Sequence, residues 1–108
     1  MARTLINIPK EAKRSETIEI KALIMHIMET GYRHSPDTGE LVPRNILNHF
    51  VCSFNGNELM SVEFSPAIAA NPFLSFFMTA TQSGVFTLSW VGDDGNTQTE
   101  TARLTVTG

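Results

Sequence analysis

The sequence predicts an all-β chain, an immunoglobulin-like antiparallel β-sandwich of about seven strands. Three observations carry this. Short runs alternate apolar and polar residues, the period of a half-buried strand. Turn chemistry (Pro36-Asp-Thr-Gly39, Asn55-Gly56, Gly92-Asp-Asp-Gly-Asn96) separates the runs. Twelve threonines and seven phenylalanines among 108 residues favour strands over helices. The Cys-Trp-Cys spacing of antibody domains is absent, so the likeness is one of architecture.

Taken in order, residues 4–8 read as a short first strand ended by Pro9, and residues 10–15 as a polar turn. Residues 17–28 read as the longest strand. Its even positions (Ile18, Ile20, Ala22, Ile24, His26, Met28) share one face. Its odd positions begin polar with Glu19 and Lys21 and turn apolar with Leu23, Met25 and Ile27. The second half therefore needs cover on both faces. Residues 31–43 are a loop, residues 46–54 a strand, and residues 58–64 the return strand of a hairpin.

Register makes that hairpin testable. A two-residue loop pairs positions summing to 111 and puts Phe50, Cys52 and Phe54 on the face opposite Met60, Val62 and Phe64. A loop of Asn55, Gly56 and Asn57 gives sums of 112 and one shared face. The expectation is the three-residue loop with Asn57 left-handed. The connector over residues 65–72 is apolar with proline near each end, which argues against a regular helix or a central strand. Residues 73–80 follow as a strand with Leu74, Phe76 and Met78 on one face and Phe73 and Phe77 on the other. Residues 85–91 place Phe86, Leu88 and Trp90 inward, and residues 97–106 place Ala102, Leu104 and Val106 inward.

At this length the expectation is one domain over residues 1–108. A net charge of −3, with 8 Lys and Arg against 11 Asp and Glu, offers no basic face for nucleic acid or an anionic membrane. No apolar stretch approaches the length of a membrane span. The N-terminal residues hold no long apolar core of a signal peptide, which taken alone points to the cytoplasm unless a partner carries the signal.

No constellation assembles an active site, and neither an enzyme activity nor a cofactor is expected. Blue copper needs two histidines, a cysteine and an axial methionine, with ligands soon after the cysteine; here the last histidine, His49, precedes Cys52. A packed, inward Cys52 is the favoured reading, because His49 lies three residues away and so on the opposite face of the strand. Met25-His26-Ile27-Met28 divides between two strand faces and reads as packing rather than a soft-metal patch. Asp93-Asp94-Gly95-Asn96 lacks the alternating ligands and distal glutamate of a calcium loop and reads as a turn. Glu58 and Glu63 have no carboxylate partner by spacing.

What stands out is surplus apolar character: Leu23, Met25, Ile27, Phe73, Phe77 and the connector around Ile68 exceed one core's needs. These six residues are the candidate partner interface. Folding of the 31–43 loop over the patch is the competing reading.

The run Phe64-Ser-Pro-Ala-Ile-Ala-Ala-Asn-Pro-Phe-Leu-Ser-Phe76, with Ile20-Lys-Ala-Leu-Ile-Met-His-Ile-Met-Glu-Thr-Gly31 and Phe54-Asn-Gly56, resembles the SoxZ family over nearly the whole chain. That resemblance implies the smaller, non-catalytic subunit of a sulfur-carrier heterodimer of bacterial thiosulfate oxidation. It implies a SoxY partner whose C-terminal Gly-Gly-Cys-Gly-Gly arm carries covalent sulfur intermediates, transient contacts with other Sox enzymes, and a periplasmic location reached by co-export with a signal-bearing partner. Cys52, mid-strand and without flanking glycines, does not match the carrier cysteine. The alternatives are a periplasmic or surface ligand-binding or adhesion sandwich unrelated to sulfur and, third, a copper-handling domain.

Overall fold

The computed structural model describes residues 3–26, 28–65, 68 and 70–108. Among the described residues eight strands run in chain order: β1 (Arg3–Asn7), β2 (Glu11–Lys13), β3 (Thr17–Met25), β4 (Leu47–Phe54), β5 (Asn57–Glu63), β6 (Phe73–Thr79), β7 (Gly84–Gly92) and β8 (Thr97–Thr107). They form a three-stranded sheet ordered β1-β3-β6 and a five-stranded sheet ordered β2-β8-β7-β4-β5. This is the expected immunoglobulin-like sandwich. Each sheet turns its apolar positions inward: Ile18, Ile20, Ala22 and Ile24 from β3 are buried, as are Phe50, Cys52, Phe54, Phe86, Leu88, Trp90 and Leu104 from the larger sheet. Aromatic rings tie the central strands. Phe50 and Trp90 pair across β4 and β7 with centroids 5.0 Å apart, and Phe54 and Phe86 do so at 4.7 Å.

Three expectations need correction. Residues 10–15 are not only a turn: β2 pairs parallel with β8 (Ala12 opposite Val106), burying Ala12. The chain then crosses to the other sheet through Ser15, at φ 70°, whose N–H donates to Ala80 O at 2.7 Å. The strand expected over residues 17–28 ends at Met25, and β8, with 11 residues, is the longest. It ends there because Asn71, at φ 55°, takes over the pairing. His26 N–H donates to Asn71 Oδ1 at 2.9 Å, and Asn71 N–H donates to His26 O at 2.7 Å. Met28 then turns through φ 53° and buries its side chain, so its burial survives although the strand does not.

The hairpin reaches the expected register by another route. Phe54 pairs with Asn57 across a two-residue turn in which Asn55 (φ 52°) and Gly56 (φ 83°), not Asn57, are left-handed. A bulge follows: Ser53 pairs with Glu58 but Cys52 pairs with Met60, leaving Leu59 as the extra residue. Beyond it Phe50 faces Val62, so the apolar sets share one face as required. Asn55 also holds β7, accepting from Val85 N–H at 3.0 Å through Oδ1. A Cβ at residue 84 would collide with that amide, which accounts for Gly84.

The 31–43 loop folds largely on itself, with bridges between His34 and Leu41 and, at its base, between Glu29 and Asn45.

Candidate partner-docking face

The outward positions of the three-stranded sheet follow from its register. Leu5, Leu23 and Phe73 stand opposite one another in a single row across β1, β3 and β6, and Met25 lies in the next row beside Arg3. Directly opposed side chains of this kind lie about 5 Å apart, close enough to form one surface. Leu5 is 58% exposed, Met25 44% and Phe73 57%, with Leu23 half-buried among them. On the other side of this cluster runs a polar strip. Lys21 and Glu19 are 3.5 Å apart, and Ser75 Oγ donates to Glu19 Oε2 at 2.8 Å. Beyond it Phe77, opposite Glu19, is 68% exposed.

The structure thus gathers Leu23, Met25 and Phe73 into one patch and sets Phe77 on the same face across a charged strip. Ile68 is exposed in the connector, its N–H donating to Ser65 O at 3.0 Å. Ile27 lies outside the described residues. Leu5 belongs to the patch but is not marked in the sequence, because a five-residue strand with one apolar outward position gives no periodic signal. The exposure of Phe73 and Phe77 shows that the 31–43 loop does not cover them.

The loop's base is instead fixed at the opposite sheet by Asp93. Its carboxylate accepts from Arg44 Nε (2.8 Å) and a second guanidinium nitrogen (3.1 Å), from Ile46 N–H (3.1 Å) and from Asn48 Nδ2 (3.1 Å). The Arg44 bond, followed by the Ile46 amide, holds the carboxyl down at about 2. Asp94 makes the turn itself, accepting from Asn96 N–H at 3.0 Å. The turn reading of this segment holds, but the clamp on the loop was not legible. A folded-state value below the ordinary one gives stability that is present above about pH 4 and lost as pH falls toward 2. Asp93→Asn should therefore lower the melting temperature at neutral pH and flatten its fall between pH 4 and 2. Parallel melting profiles for the two proteins would show that the clamp contributes nothing.

Cys52 is fully buried between Met60 and Leu88 on the neighbouring strands, and burial pushes its thiol up to about 11. A protonated, inaccessible thiol is a poor nucleophile. His26 lines a cleft of about 440 Å³ at the end of the sandwich with Met25, Trp90, Asp94 and Gln98. Its Nδ1 accepts from Met28 N–H at 3.0 Å, which leaves the proton of the neutral ring on Nε2. Partial burial lowers its pKa against the opposing pull of Asp94 and Asp93. Among the described residues, no three His, Cys, Asp or Glu side chains gather to hold a metal ion.

Fold and surface together define an immunoglobulin-like sandwich that leaves an apolar patch open on one sheet face. A family model described as sulphur oxidation protein SoxZ matches residues 6–103, so the chain belongs to the SoxZ family and to the sulfur-oxidation role that family has. Solved structures share its fold at low identity. The superoxide reductase (neelaredoxin) of Ignicoccus hospitalis superposes with a TM-score of 0.75 at 16% identity, over 96% of this chain and 80% of that one. The sulfur carrier protein SoxY of Chlorobium limicola f thiosulfatophilum superposes at 0.68 and 12% identity, over 97% and 79%. A CARDB domain from Pyrococcus furiosus, solved with di-metal ions, superposes at 0.54 and 15% identity, over 99% and 94%. A comparison with curated protein sequences gives no significant match.

Proposed function

We propose that this chain is the non-catalytic half of a periplasmic sulfur-carrier pair. It holds a SoxY-like subunit, fixes the root of that subunit's Gly-Gly-Cys-Gly-Gly arm, and adds surface on which the Sox enzymes dock while they process sulfur bound to the arm's cysteine. The observation that carries this reading, beside the family, is the exposed row Leu5, Leu23 and Phe73 with Met25. Water-exposed apolar surface of this kind is stabilised by burial against a partner. A standard interface would take about 800 Å² from each subunit. Cys52, buried and protonated, leaves the covalent chemistry to the partner's cysteine. Export in the folded state beside a signal-bearing partner suits a chain whose apolar face is covered only in the pair.

Tagged chain recovered from periplasm of thiosulfate-grown host cells should bring down one stoichiometric partner. Intact mass should place sulfur adducts on that partner and none on this chain. Recovery from the cytoplasm alone, or without a cysteine-arm partner, would sink the proposal.

A further inference from the structure

We propose that the partner binds by strand addition: the open edge of β6 pairs antiparallel with an extended strand of the SoxY-like subunit, continuing the three-stranded sheet across the interface. This rests on the reading of the chain as a SoxY-binding subunit and adds the mode of attachment.

The phase of the β3–β6 ladder shows which backbone groups are available. Ile24 N–H donates to Pro72 O at 3.3 Å, and Ala80 N–H donates to Glu16 O at 2.8 Å. Both pairs lie on the register that sets Thr17 opposite Thr79. Because bonded residues alternate along an antiparallel strand, Leu74, Phe76 and Met78 spend their N–H and C=O groups on β3. Phe73, Ser75, Phe77 and Thr79 then direct theirs to the open side, where no described residue pairs with them. These are also the residues whose side chains stand on the outer face.

The other three edges carry the features that discourage pairing. β1 is five residues long, begins at Arg3, and is tied to the larger sheet by Thr4 Oγ1 on Glu100 Oε1 at 2.5 Å. β2 has three residues, two of them charged, Glu11 and Lys13. β5 carries Glu58 and Glu63 and is broken by the bulge at Leu59. β6 (Phe-Leu-Ser-Phe-Phe-Met-Thr) has seven residues in unbroken register with no charge, proline or bulge. An unguarded edge flanked by exposed phenylalanines recognises another extended strand with apolar side chains on one face. SoxY from Chlorobium shares the fold over 97% of this chain, so a SoxY-like partner brings a corresponding sheet. Two like sheets meeting at corresponding edges about a pseudo-twofold axis pair antiparallel.

Residue-resolved amide exchange of the free chain and of its complex with the SoxY-like subunit tests this. The amides of Phe73, Ser75, Phe77 and Thr79 should exchange rapidly in the free chain and slow by about a hundredfold or more in the complex, whereas Leu74, Phe76 and Met78 should be slow in both. Ser75→Pro removes an outward N–H and leaves the β3 ladder whole, so it should weaken binding by about a hundredfold. Ser75→Ala, which loses only the Oγ bond to Glu19, should bind within a few-fold of wild type. A complex that forms while those four amides keep their free exchange rates overturns strand addition and leaves the carrier reading standing. Failure of the wild-type chain to bind the subunit overturns both. Concentration-dependent protection of the same amides in the chain alone, undisturbed by the subunit, would assign the edge to a second copy and overturn the partner.

Discussion

Phe73→Asp is expected to weaken capture of the proposed SoxY-like subunit severely and to leave the chain folded. The ring is 57% exposed, so its removal takes little from the core. It ends the Leu5–Leu23–Phe73 row on the edge strand β6 and is one of the most exposed members of the apolar patch. In the complex a carboxylate there would lie against Leu23, with no cationic partner in its row. An unpaired charge in a desolvated interface costs about 2–5 kcal/mol, a loss of roughly thirty- to several-thousandfold in affinity. Phe77→Asp should act in the same direction, but it also sets a second carboxylate opposite Glu19 and so adds repulsion within the free chain. Phe73→Asp is the cleaner variant for that reason. The check is affinity by titration calorimetry beside melting temperature. Unchanged affinity would remove the outer face from the interface, and a collapsed melting temperature would mean that Phe73 supports the fold more than its exposure indicates.

The parts of this molecule legible in the sequence are those where burial imposes a period. Ile18, Ile20, Ala22 and Ile24, and Phe86, Leu88 and Trp90, alternate because one face of each strand is sealed, and the structure buries all seven. The same constraint fixed the phase of the β4–β5 register, since a one-residue slip would have turned Met60 and Val62 away from the face of Phe50 and Cys52. It did not fix how the chain attains that register, because a three-residue loop and a two-residue turn followed by a bulge satisfy the same sum. β2 carried one inward residue, Ala12, too little to mark a strand inside a polar stretch. The end of β3 depended on Asn71, forty-five residues on from His26, and no local pattern contains it. The docking face was legible as a surplus, from odd positions that ought to have been polar. Leu5 and the Asp93 clamp were not, since each acquires its role only when distant segments meet.

Trp90→Ala should be the most damaging single truncation in the core. Trp90 is 1% exposed on a strand flanked on both sides, opposite Phe50 on β4 and Gln98 on β8. Its loss removes the largest of the fully buried side chains and one ring of the Phe50 pair. Truncations of this kind cost about 3–5 kcal/mol, a large share of the roughly 5–15 kcal/mol that holds a domain together. The midpoint of chemical unfolding should fall by roughly a fifth or more, and a fall under a tenth would show that the site collapses to fill the void. The partner separates this variant from Phe73→Asp. A subunit that binds only the folded chain adds about 2.7 kcal/mol when present at a hundred times its dissociation constant. Excess SoxY-like subunit should therefore restore most of the melting temperature of Trp90→Ala and none of the affinity of Phe73→Asp. The first variant damages the fold and keeps the face, whereas the second keeps the fold and damages the face. Rescue of both, or of neither, would mean that the outer face and the core are not the separate layers that their burial describes.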